Sequence, residues 1–121
     1  AEAASAKQPM GRFLDGSVSA VLGTPTDVTT ADEQILPGGS GFQCDVGMTG
    51  PFESIIGRNI EAVIESTLTA MPVPYHVAKG DVRVSATWVD VDRASGKCQA
   101  IGRLCLKHKR LEDYHKSLVS C

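Results

Sequence analysis

Apolar positions along the chain come in short blocks separated by Gly, Pro and Asp, and the period within each block predicts an element. Ala1 to Leu14 is rich in helix formers, with Met10, Phe13 and Leu14 at helical spacing and Asp15-Gly16 as a stop; Pro9 is expected to shorten this helix. Ser17 to Leu22 is a small β-branched run closed by Gly23 and reads as a buried strand. Thr24 to Ser40 is full of turn formers (Pro25, Asp27, Asp32, Pro37, Gly38, Gly39), a loop long enough to suggest function or its remnant. Gly41 to Gly47 reads as a second strand, and Met48-Thr49-Gly50-Pro51 as a tight turn. Asn59 is placed to cap a helix with Ile60, Val63, Ile64, Leu68 and Met71 on one stripe, ended by Pro72 and Pro74. Val82, Val84, Ala86 and Trp88 then alternate with Arg83, Ser85 and Thr87. Asp92 to Lys97 forms a hairpin turn, and Cys98 to Leu106 returns as partner strand. Burial around Trp88 should make this hairpin the most stable element. From Lys107 the pattern turns helical again, with Leu111, Tyr114, Leu118 and Val119 on one stripe of an amphipathic tail.

Composition changes this picture little. With 121 residues the chain has room for one domain, and 42% hydrophobic with 21% charged residues is ordinary globular usage that excludes disorder. Aromatics at 5% count against a dense, self-sufficient core. A net charge of -2 gives no reason for the whole chain to seek nucleic acid or an anionic membrane. Arg103, Lys107, Lys109, Arg110 and Lys116 form one local basic cluster, a solvated face in the first instance and an RNA contact in the second. No apolar run approaches the roughly 20 residues of a membrane helix, so the chain is expected to be soluble or peripheral. It begins at Ala1, which fits Met removal or the loss of a presequence. Cys44, Cys98, Cys105 and Cys121 lack the spacing of a zinc knuckle and are expected to be reduced. Gly38-Gly39-Ser40-Gly41 lacks the Lys-Ser/Thr ending of a phosphate-binding loop.

Several separated motifs carry more. Val18-Ser19-Ala20-Val21-Leu22-Gly23-Thr24, then Thr30-Ala31-Asp32-Glu33-Gln34-Ile35-Leu36-Pro37-Gly38-Gly39, then Asp45-Val46-Gly47-Met48-Thr49-Gly50-Pro51, closely resemble the C-terminal part of the YmdB-type metallophosphoesterases. The likeness continues through Ser54-Ile55-Ile56-Gly57, Val77 to Arg83 and Val89 to Asp92. It implies an α/β fold: the C-terminal half of an αββα sandwich, with a mixed sheet, a C-terminal β-hairpin and an added helical tail. Residues 1–106 would be the truncated domain and 107–121 the extension. The family hydrolyses phosphodiesters, 2′,3′-cyclic nucleotides among them, with two divalent metals about 4 Å apart.

Most of that family's ligands lie upstream of this region. What this part should contribute is a His-x-His pair after the Gly-Thr that ends the first strand; here the sequence is Gly23-Thr24-Pro25-Thr26-Asp27-Val28. Pro25 offers no ligand atom, and Asp27 could bind a hard cation but is a single carboxylate. His76, His108 and His115 read as structural or solvated, and Asp32, Glu33 and Asp45 as turn formers and backbone caps. No catalytic residue and no cofactor is therefore assigned to this chain. The resemblance points to a non-catalytic, structural or accessory subunit of a larger assembly. Other subunits would cover its open sheet edges, and Leu111, Tyr114, Leu118 and Val119 would dock on a partner. A mitochondrial setting is expected, a cytoplasmic one otherwise. The alternative is one half of a split metal-dependent phosphodiesterase acting on 2′,3′-cyclic nucleotides, completed in trans.

Overall fold

The structure, a computed structural model, describes residues 3–24 and 26–108. Helix α1 (Ala4–Leu14) runs through Pro9 instead of stopping at it. The carbonyl of Ser5 that loses its partner belongs to an exposed residue, where the missing bond costs least. α1 lies on the sheet through Gly11, whose absent side chain leaves room for the Phe42 ring: a Cβ there would sit 2.5 Å from it.

Strands β1 (Ala20–Leu22), β2 (Gln34–Ile35) and β3 (Gly41–Gln43) form a first sheet in the order β1-β3-β2, with β1 parallel and β2 antiparallel to β3. The expected second strand ends early. Past Gln43 two backbone donors take side-chain partners in place of ladder bonds: Cys44 N donates to Asp32 Oδ1 at 3.1 Å and Asp45 N to Thr30 Oγ1 at 2.9 Å. Strands β4 (Gly50–Glu53), β5 (Gly80–Val91) and β6 (Cys98–Lys107) form an antiparallel sheet with β5 central. The tight turn expected at Met48 to Pro51 is thus partly a strand: β4 pairs Gly50 with Arg83 and Pro51 with Val82. An edge position tolerates Pro51, which has no N–H to give. The two sheets and the helices together are the α/β half-sandwich anticipated above.

Helix α2 (Ile60–Thr69) starts at Asn59, whose side chain accepts from Ala62 N, and ends at Ala70 in the left-handed region, ahead of Pro72. Its apolar stripe is present but uncovered. No α2 residue is buried, and Leu68 is 81% exposed. Among the described residues the core is small: Leu36, Phe42 and Cys44 form one cluster with Val21 packed against it, and Cys98 and Cys105 are buried as well. Polar residues join it, for Ser40, Gln43, Asp45 and Ser85 are buried too. Gln43 donates to the carbonyls of Thr30 and Asp45 and accepts from Thr87 Oγ1 at 2.5 Å, tying the first sheet to the second.

Two expectations change here. Trp88 does not anchor a buried face: it is 42% exposed, as is Val82 at 39%, while Ser85 on the polar face of β5 is buried. The polar face turns inward because Gln43 needs the Thr87 hydroxyl there. The thiols also divide: Cys44 and Cys98 are free and buried, but Cys105 is disulfide-bonded and not reduced as expected. Spacing within one strand says nothing of a partner brought in from elsewhere in the chain. Lys109, Arg110, Leu111, Tyr114, Leu118 and Val119 lie outside the described residues.

Candidate functional site

The segment that should carry the metal-binding pair leaves β1 at Gly23. There Gly23 N donates to the Gln43 carbonyl at 2.9 Å, and Val46 N to the Gly23 carbonyl at 3.0 Å. A Cβ on Gly23 would meet the Cys44 carbonyl oxygen at 1.9 Å, so only glycine lets the two backbones approach this closely. The turn that follows is organised by Asp45. Its Oδ2 accepts from Thr26 N at 2.7 Å, Thr26 Oγ1 at 2.8 Å and Lys7 Nζ at 3.1 Å; its Oδ1 accepts from Gly47 N at 2.9 Å. Burial raises the pKa of this carboxylate, but the donors from Thr26, Gly47 and Lys7 outweigh burial and hold it below the ordinary aspartate value.

Asp45 is therefore spent on the loop. Asp32 is used similarly, accepting from Thr30 Oγ1 and Cys44 N. Asp27 is exposed, with a left-handed φ of 64°, and its carbonyl accepts from Met48 N. Pro25 lies outside the described residues. His76 is exposed and contributes only its carbonyl, to Asn59 N; His108 is exposed at the end of β6. Among the described residues no group of three or more His, Cys, Asp or Glu side chains is placed to hold a metal ion. The donor set present does not fit the two-metal centre that the resemblance implies.

Beside the Asp27 turn, a cleft of about 390 Å³ opens against the inner face of β5 and β6. Met48, Phe52 and Ile56 give it apolar walls, and Ser85 and Arg103 give it polar groups. Arg103 Nε donates to Glu33 Oε1 at 2.9 Å, an ion pair that the basic-cluster reading did not foresee. Lys107, its neighbour in that cluster, stands 4.0 Å from Asp81. Arg83 lies over the Phe52 ring at 4.8 Å and pairs with Asp81. Glu33 Oε2 and Ser85 Oγ are buried without a partner. The alternation of β5 does place Ser85 on its polar face; nothing in the sequence points to the Glu33–Arg103 pair.

The model of the family described as YmdB-like protein matches residues 1–104. The chain belongs to the YmdB-like family. A 2′,3′-cyclic-nucleotide 2′-phosphodiesterase of Bacillus subtilis (strain 168) is 42% identical over 106 residues, which are 88% of this chain and 40% of that protein. Two solved structures share the fold. The crystal structure of a novel phosphatase from Mycoplasma pneumoniae superposes with a TM-score of 0.82 at 30% identity, covering 92% of this chain and 41% of that one. That of a hypothetical protein from Thermus thermophilus gives 0.81 at 42% identity, covering 88% and 41%. The YmdB-like chain thus spans about two fifths of the length of these relatives. The relationship to phosphodiesterases and phosphatases of the metallophosphoesterase class stands, and these relatives are bacterial, so a mitochondrial setting gains no support from them. Among the described residues no helix is long and apolar enough to cross a membrane.

Proposed function

We propose that this YmdB-like chain is a non-catalytic, accessory portion of a metallophosphoesterase-class fold that works in association with other protein, without a complete metal centre of its own. The observation that carries the reading is the turn after Gly23. Asp27 stands in place of an expected imidazole, exposed on a left-handed backbone, while the one buried carboxylate nearby, Asp45, is saturated by four donors. The uncovered stripe of α2 and the half-open apolar face of β5 supply surface for the association. Metal content and hydrolysis of 2′,3′-cyclic AMP by the purified chain test it: sub-stoichiometric Mn, Fe and Zn and no turnover are expected. Stoichiometric metal with turnover would overturn it.

A second reading is favoured by the 42% identity to the Bacillus phosphodiesterase over only 40% of that protein. In it, the chain is one half of a split phosphodiesterase completed in trans. Mixing the chain with a polypeptide matching the remaining part of that relative should then yield hydrolysis that Asp27→Ala abolishes. Hydrolysis unaffected by Asp27→Ala would assign the chemistry to the other polypeptide alone.

A further inference from the structure

We propose that the cleft between the Asp27 turn and the inner face of β5–β6 binds a small organic oxyanion, a carboxylate or phosphate head carried on a flat apolar body. The inference does not depend on whether a metal centre is completed elsewhere, because it rests on Ser85 and Arg103, neither of which is a metal-ligand candidate; Asp27, which also lines the cleft, has no part in it.

Two observations meet here. Ser85 is 8% exposed and lines the cleft, and its hydroxyl has no hydrogen-bond partner. A buried hydroxyl left unpaired is a standing penalty, and an apolar side chain of similar size would avoid it. An acceptor entering the cleft would remove that penalty on binding. Second, Arg103 lines the same wall and has committed only Nε, to Glu33; the four remaining N–H groups of its guanidinium have no partner among the described residues. Ser85 pairs with Cys105 across the β5–β6 ladder, and Arg103 precedes Cys105 by two residues, so the hydroxyl and the guanidinium lie on one face of the sheet. A fork of N–H donors beside an O–H donor is suited to a planar or tetrahedral oxyanion. The opposite demand comes from Met48, Phe52 and Ile56, which would cover an apolar body but leave a fully hydrated ion without compensation. Phe52 is held under the Arg83 guanidinium, which fixes its ring as a wall. Glu33 neutralises part of the Arg103 charge, so affinity is weakened by it.

The probes are benzoate, phenyl phosphate and the neutral isostere benzamide, titrated into the ¹⁵N-labelled chain while following the Arg103 Nε–H signal and the amide of Thr29, which also lines the cleft. Saturable shifts with benzoate or phenyl phosphate are expected, with benzamide about tenfold weaker. Benzoate against phenyl phosphate tells a carboxylate from a phosphate preference. Ser85→Ala should weaken binding severalfold while raising the melting temperature, and Arg103→Lys should weaken it with the Glu33 pair kept. Glu33→Gln should strengthen it. Equal shifts with benzamide, no saturable shift with either anion, or a Ser85→Ala chain that binds as the parent does would each overturn the proposal.

Discussion

Asp45 gathers four donors from three parts of the chain, and the energetics of the candidate site follow from that residue more than from Asp27. Its folded pKa lies below the ordinary aspartate value, so the stability it contributes is complete above the unfolded pKa of about 3.9 and is lost as pH falls through the folded one. Acid unfolding followed by circular dichroism should therefore show a falling limb below about pH 4 that Asp45→Asn flattens. Asp45→Ala is expected to cost about 3–5 kcal/mol in urea denaturation, since it strands the nearly buried Lys7 ammonium. Asp27→Ala should leave stability within about 0.5 kcal/mol, because an exposed side chain without a partner has little to lose. The Gly- and Thr-rich surroundings of Asp45 are enough to mark it as a backbone cap. That Lys7 reaches it across 38 positions depends on how α1 crosses the sheet, which no local pattern encodes.

At the level of elements, local chemistry is legible where a single residue decides and obscure where a neighbour decides. Asn59 caps α2 as its side chain dictates, and Asp92 to Lys97 turns the hairpin. By contrast, which face of β5 turns inward is set by the first sheet: Gln43 needs Thr87, so the polar face is covered and Trp88 is left half open. The close approach after β1 gives a sharp test. Gly23→Ala must push the Cys44 carbonyl away and break the bonds that extend the β1–β3 pair, so amide exchange at Val46 should accelerate strongly while β5 and β6 retain protection. Ile64→Gln and Leu68→Gln on α2 should leave the melting temperature of the isolated chain nearly unchanged, because both side chains are already exposed. If that apolar stripe serves association, the same pair of changes should abolish co-purification of a partner, and retained co-purification would assign the contact elsewhere.

For the molecule as a whole, a core that among the described residues holds five buried apolar side chains, three of them in one cluster, supports two small sheets. Membership of the YmdB-like family is legible because its motifs recur in order along the chain; the Glu33–Arg103 pair, 70 positions apart, and the cleft beside it are products of sheets meeting and leave no local trace. Cys44 and Cys98 are buried, and burial, with a further push from Asp90, raises the Cys98 thiol pKa against a smaller opposing effect of a backbone hydrogen bond at Ala100. Both should resist iodoacetamide in the native chain and react only after denaturant, as intact-mass analysis would report. The clasp between the sheets is a carboxamide whose two ends are chemically unlike: the nitrogen of Gln43 feeds the first sheet's own loop and the oxygen receives Thr87. Such a group works as a key as well as a fastener, since sliding one sheet past the other would leave the buried carboxamide oxygen without its donor and the Gln43 N–H groups without their carbonyls. Gln43→Leu, of similar volume, should therefore leave the chain folded but blur the relative placement of the sheets, visible as doubled amide resonances along β5.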